Sequence, residues 1–189
     1  MRNISLTIAA ICISAALSAQ GVFANKTQSI LEKVIQDYPN HFYNIKGELI
    51  GQAHQSAEYR STLQLPGSSS CIVTLYTEPT NFYSWTCTVL DVENFEQARS
   101  RFRDIYGQLS NSIIHCNAQK TFILSGQYEE PEPEKKMTHV AFALVPGVGD
   151  LKKLKVDLSL RQDGKSFKIA LCVNDQDPRE DVQGAMTIK

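Results

Sequence analysis

Leu154-Lys155-Val156-Asp157-Leu158-Ser159-Leu160-Arg161-Gln162-Asp163-Gly164-Lys165-Ser166-Phe167-Lys168-Ile169-Ala170-Leu171-Cys172-Val173 is the stretch from which the fold is read. Leu154, Val156, Leu158 and Leu160 alternate with Lys155, Asp157, Ser159 and Arg161. Successive side chains of a strand point to opposite faces, so this segment has one dry face and one wet face. Gln162-Asp163-Gly164-Lys165 supplies a tight hairpin turn, and Phe167, Ile169, Leu171 and Val173 resume the apolar period on the way back. Short connections of this kind specify antiparallel neighbours, because parallel ones need a crossover of a dozen residues or more.

Working outward, further strands are expected at Phe42–Gln52, Glu58–Leu65, Cys71–Glu78, Phe82–Leu90, Ser112–Asn117, Thr121–Tyr128 and Thr138–Val145. Two segments carry the helical period instead. In the first, Ser29 and Glu32 have capping-box spacing, Ile30, Leu31, Val34, Ile35 and Tyr38 share a face, and Pro39 is the stop. The second runs from about Asn94 to Tyr106, with Phe95, Ala98, Phe102, Ile105 and Leu109 as its buried stripe and Gly107 as its stop. Arg99, Arg101 and Arg103 fall mostly off that stripe. Each helix has one apolar face, which gives an α+β fold: an antiparallel β-sheet with two amphipathic helices packed on one face.

The halves echo each other. Residues 58–90 run strand, Leu65-Pro66-Gly67, strand, turn, and a strand with Cys87; residues 138–173 run strand, Val145-Pro146-Gly147, strand, turn, and a strand with Cys172. Each set follows a helix, the layout expected of an α-β-β-β-β unit occurring twice, with a strand added at 121–128. Pro-Gly between strands is common in any case, so turn chemistry alone also accounts for the echo. Residues 25–91 and 92–189 are the two halves, read as sharing one compact domain.

Residues 1–24 stand apart. Met1-Arg2-Asn3 is a short positive start, Ile4–Leu17 is nearly all apolar, and Val22-Phe23-Ala24 is a small-residue exit. That order is built like a secretory signal peptide, and its apolar run is shorter than the roughly 20 residues of a membrane-spanning helix. Cleavage is expected after Ala24, with Ala19 as the alternative, leaving 189 − 24 = 165 residues, about one domain. The expectation is export, to a periplasm or to the medium.

Net charge is −1 for the chain and −2 once Arg2 is gone. No basic block accompanies it, which argues against nucleic acid and against an anionic membrane surface as partners. No later segment reads as a membrane span.

Of five cysteines, Cys12 leaves with the leader. Cys71, Cys87, Cys116 and Cys172 remain, at gaps of 16, 29 and 56 residues, unlike the close pairs of a zinc site. Cys71 shares a face with Val73 and Leu75, and Cys87 with Trp85 and Val89. The reading is a Cys71–Cys87 bridge across a hairpin, leaving Cys116 and Cys172 for the second.

Motifs for chemistry are sparse. His41, His54, His115 and His139 have no metal-pair spacing. Gly67-Ser68-Ser69-Ser70 leads into a strand and so does not make a nucleophile elbow. Gly147-Val148-Gly149-Asp150 opens no helix, and the Glu129–Lys136 run reads as a stiff, solvated Pro-rich loop. No metal or cofactor is expected.

The surface signal is aromatic. His41-Phe42-Tyr43 and Asn81-Phe82-Tyr83 both enter strands with a Phe-Tyr pair, one ring expected on each face. Phe82 should share the reverse face with Ile72 and Tyr76. Candidate binding residues are therefore Ile72, Tyr76, Phe82, His41 and Tyr43. The functional expectation is a secreted or periplasmic non-enzymatic protein that binds a protein or a small ligand. A small exported hydrolase assembled around His115 or His139, and a structural component of an envelope assembly, are the alternatives.

Overall fold

Alternating sequence becomes alternating burial. Along β7 (Met137–Val145) exposed and buried residues follow one another without a break, and in β8 (Leu154–Asp163) the buried set is Leu154, Val156, Leu158 and Leu160. A computed structural model describes residues 26–77, 81–116 and 120–175. The expected leader, Glu78, Pro79-Thr80 and Asn117 lie outside the described residues.

The remaining strands are β1 (Lys46–Ala53), β2 (Ser56–Ser61), β3 (Ser70–Tyr76), β4 (Phe82–Val92), β5 (Ile113–Cys116), β6 (Lys120–Gly126) and β9 (Ser166–Asp175). They form one antiparallel nine-stranded sheet in the order β1-β2-β3-β4-β9-β8-β7-β6-β5. The last strands of the two halves thus meet at the centre, with Trp85 opposite Val173 and Cys87 opposite Leu171. Helix α1 (residues 26–37) and α2 (Phe95–Leu109) lie on one face. Between sheet and helices sits the core, built around Trp85, Phe42, Phe102, Phe122 and Phe142.

Helix α2 starts where the Asn94 side chain accepts a hydrogen bond from the Gln97 amide, satisfying a free N-terminal donor. Ala98, Phe102, Ile105 and Leu109 are buried, and the helix lies over β4, β8 and β9. Gly107 does not stop it. A mid-helix glycine costs about 1 kcal/mol, and extending the helix to Leu109 buries that side chain, which offsets the cost.

Helix α1 is already helical before Ser29, so Ser29 does not cap it. Leu31, Val34 and Ile35 are buried. Gln28, Glu32 and Gln36 are four residues apart and form a stripe along edge strand β5. Gln28 Nε2 donates to the Ile113 carbonyl at 2.6 Å and Gln36 Nε2 to the His115 carbonyl at 2.7 Å, while the Glu32 carboxylate accepts from the His115 amide. The helix therefore seals an edge that could otherwise pair with another strand.

The turn after α1 is organised by buried Asp37, whose carboxylate accepts from the Asn44 and Ile45 amides and from the Asn44 and Asn40 side chains. His41 and Phe42 have φ of 55° and 57°. This reversal places Phe42 in the core rather than at the start of a strand, and β1 begins only at Lys46.

The acidic Pro-rich segment is not simply solvated. Pro131 is buried, Arg103 donates to Glu130 at 2.6 Å, and the Tyr128 hydroxyl donates to Glu130 at 2.8 Å, which pins the segment against α2. Among the described residues no helix is long and apolar enough to cross a membrane.

Candidate functional site

Nine strands have eight gaps of about 4.8 Å, a width of roughly 38 Å, whereas two helices about 10 Å across cover only half of it. Helix α1 lies at the β5 edge and α2 lies over the centre. The helix side of β1, β2 and β3 is therefore left to loops, with Phe42, Ile45 and Leu65 filling its inner part.

Beyond them is an aromatic ledge. The His41 ring stacks on Tyr83 with centroids 4.9 Å apart. Tyr43 is 67% exposed, and the Lys46 ammonium lies 5.2 Å from its ring centroid and 4.6 Å from that of Tyr59. Such cation–π contacts hold a lysine against two rings at modest energy. Leu49, opposite Tyr59 in the ladder, is 52% exposed. Tyr59 pairs onward with Val73, and Leu75 with Tyr83, so the ledge continues the core face outward.

The five sequence candidates divide between the two faces. His41 and Tyr43 belong to the ledge. Ile72, Tyr76 and Phe82 lie on the helix-free face, half-buried, with the Tyr76 and Phe82 rings stacked at 4.3 Å. Sequence reasoning did not single out Tyr59, Lys46 or Leu49. The Tyr59/Leu49 pairing was available only as a weak signal in two neighbouring predicted strands. The role of Lys46 depends on the Asp37-tied turn.

Cys71 and Cys87 are directly opposite each other on β3 and β4 and form a disulfide. Cys116 and Cys172 are free, which corrects the expected second bridge. Cys172 lies between buried Leu171 and Val173, hence on the helix-free face, while Cys116 is buried on the helix side. Three strands also separate β5 from β9, about 19 Å against the roughly 7 Å limit for bridged Cα atoms.

The chemical groups elsewhere are dispersed. His139 Nε2 lies 2.9 Å from Asp157 Oδ1, and Cys172 sits on the next strand, directly opposite Asp157. This order places the carboxylate between thiol and imidazole, whereas a thiol nucleophile needs the base as its own neighbour. Thr86 Oγ1 is the group that reaches Cys172 Sγ, at 3.3 Å. Burial pushes the Cys172 thiol up to about 11, and burial followed by the Glu32 charge does the same for Cys116, so both stay protonated near neutral pH. His115 pairs with Thr121, and Ile123 pairs with Val145, six residues beyond His139. The two strand histidines are thus roughly 20 Å or more apart along the sheet. Among the described residues no three His, Cys, Asp or Glu side chains are grouped to hold a metal ion.

Comparison with known proteins finds no matching family model, no matching curated protein and no matching solved structure.

Proposed function

We propose that this chain is an exported, non-enzymatic binding protein that captures an extended polypeptide segment on the β1 edge and the aromatic ledge beside it. The ledge carries the reading: Tyr43, Tyr59, Leu49 and the His41–Tyr83 stack form an apolar surface that the helices are too narrow to cover. Tyrosines on a rigid support are typical interface anchors. An extended segment is favoured as occupant because β1 ends the sheet. Among the described residues no strand pairs with its outer side, whereas β5 at the other end is sealed by α1. Strand addition would supply main-chain hydrogen bonds, and alternate side chains of the peptide would meet the rings. Export is supported by the order of residues 1–24 and by the Cys71–Cys87 disulfide, a bond that persists in oxidising compartments.

The test is retention of the mature chain on an array of extended hexapeptides with alternating apolar and polar residues. Wild type should bind a subset, and Tyr59→Ala or Leu49→Lys should weaken binding by about tenfold or more. Retention of no peptide, or binding indifferent to both substitutions, overturns the proposal. Recovery of the native protein from the cell interior with Met1 still attached would remove the export part.

A further inference from the structure

A cavity of about 290 Å³ opens where the 3-10 turn Tyr38–Asn40 meets the 3-10 turn Gly149–Lys153, next to β5 and β6. Its apolar lining comes from Pro39, Phe122, Val148 and Leu151. Cys116 brings a buried thiol and Lys120 an exposed ammonium group. Pockets lined mainly by apolar groups with one or two placed polar ones are the usual form of small-ligand sites. Gly149, with φ of 59°, turns the chain at the wall, a conformation that other residues adopt only with strain.

The lining specifies a ligand class. At neutral pH the Cys116 thiol is protonated, since burial pushes it up to about 11. It serves as a soft, nearly apolar wall rather than a nucleophile. Glu32, bonded to the His115 amide, adds to the burial that keeps Cys116 neutral. An anionic head group is favoured at Lys120, the one charged side chain among the lining residues. At about 30 Å³ for a group the size of a water or methylene, the cavity holds roughly ten heavy atoms. We infer that it takes an amphiphile with a short apolar tail against Phe122 and Leu151 and a single carboxylate at Lys120.

Octanoate, with eight carbons and two oxygens, is the probe. The full mature chain is titrated with it, and alkylation of Cys116 by N-ethylmaleimide is followed by peptide mass mapping, with Cys172 as internal control. Octanoate should slow the Cys116 reaction saturably by about tenfold or more and leave Cys172 unchanged, while 1-octanol should require about tenfold higher concentration. Lys120→Gln should bring octanoate to the level of octanol. Leu151→Trp, or Val148→Trp at an exposed site should the former not fold, should remove protection by filling the space. No slowing, equal slowing at both cysteines, equal potency of octanol, or protection that survives the tryptophan variants overturns the assignment. Because Tyr59→Ala leaves this cavity intact, its failure and that of the peptide-binding proposal are read separately.

Discussion

Removing the polar stripe of α1 should unseal the sheet edge without touching the core. In Gln28→Ala/Glu32→Ala/Gln36→Ala, three hydrogen bonds to the β5 backbone are lost while Leu31, Val34 and Ile35 remain buried. Two of the bonds are neutral, worth about 1 kcal/mol each. The carboxylate bond is worth about 1.5 kcal/mol at the low end suited to an exposed site, for a total of about 3.5 kcal/mol. With a urea slope of about 2 kcal/mol per M, the unfolding midpoint should fall by roughly 1.8 M. Amide exchange offers a sharper readout, because the His115 N–H has Glu32 as its partner and a loss of 1.4 kcal/mol of protection is about a tenfold faster exchange. Glu32→Ala alone should accelerate His115 by about that factor, whereas exposed Lys33→Ala should not. Light scattering of the triple variant should rise with concentration, as expected of an unprotected edge. If His115 exchange and the midpoint both stay at their wild-type values, the apolar face alone holds α1 and the edge-sealing argument is wrong.

Further expectations concern other parts of the fold. Cys71→Ala/Cys87→Ala should lose about 3 kcal/mol in urea unfolding, the chain-entropy value for a loop of this size, and an unchanged midpoint would refute it. Gly126→Ala would place a Cβ 2.7 Å from Phe142 Cδ1 and 2.9 Å from the Ala141 carbonyl, so thermal unfolding should show a loss of about 1–3 kcal/mol, and a neutral effect would contradict the close approach. The Tyr128 hydroxyl, and then Arg103, hold the Glu130 carboxyl below its ordinary range. Its docking contribution is therefore complete above that range and is lost as pH falls through the lowered folded value. Exchange protection around Tyr128 should show this acid loss, and Glu130→Gln should abolish the pH dependence.

All nine strands of the described residues were legible, most plainly where one face is buried and a period of two survives, as in β7 and β8; β1 has no buried residue and was placed by its neighbours and turns. Helix ends were less so. Gly107 has the residue type of a stop, but the burial of Leu109 overrides it, a tertiary effect with no local sign. The free thiols show a finer distinction. Cys172 stands out of phase with Leu171 and Val173, so its face was readable from alternation. Cys116 follows Ile113 and Ile114, where apolar residues at both parities hide which face is buried, and strand order, which hairpins alone do not determine, sets the distance. At the ledge, the face taken by Tyr43 depends on positive φ at His41 and Phe42, neither of which is glycine, so no turn signature announced it.

The pairing of β4 with β9 has a kinetic consequence. Thr86 and Cys172, in contact at that seam, are 86 residues apart in the chain. Every strand of the first half is complete long before the central ladder is able to close. A polypeptide delivered N-terminus first would hold β4 as a raw border throughout the arrival of α2 and β5 to β8. Folding dominated by such distant partners is slow and exposed to mispairing. The last ten or so residues of β9 should therefore act as the closing stitch, and nascent chains truncated before Ser166 should need a holding factor to stay dispersed.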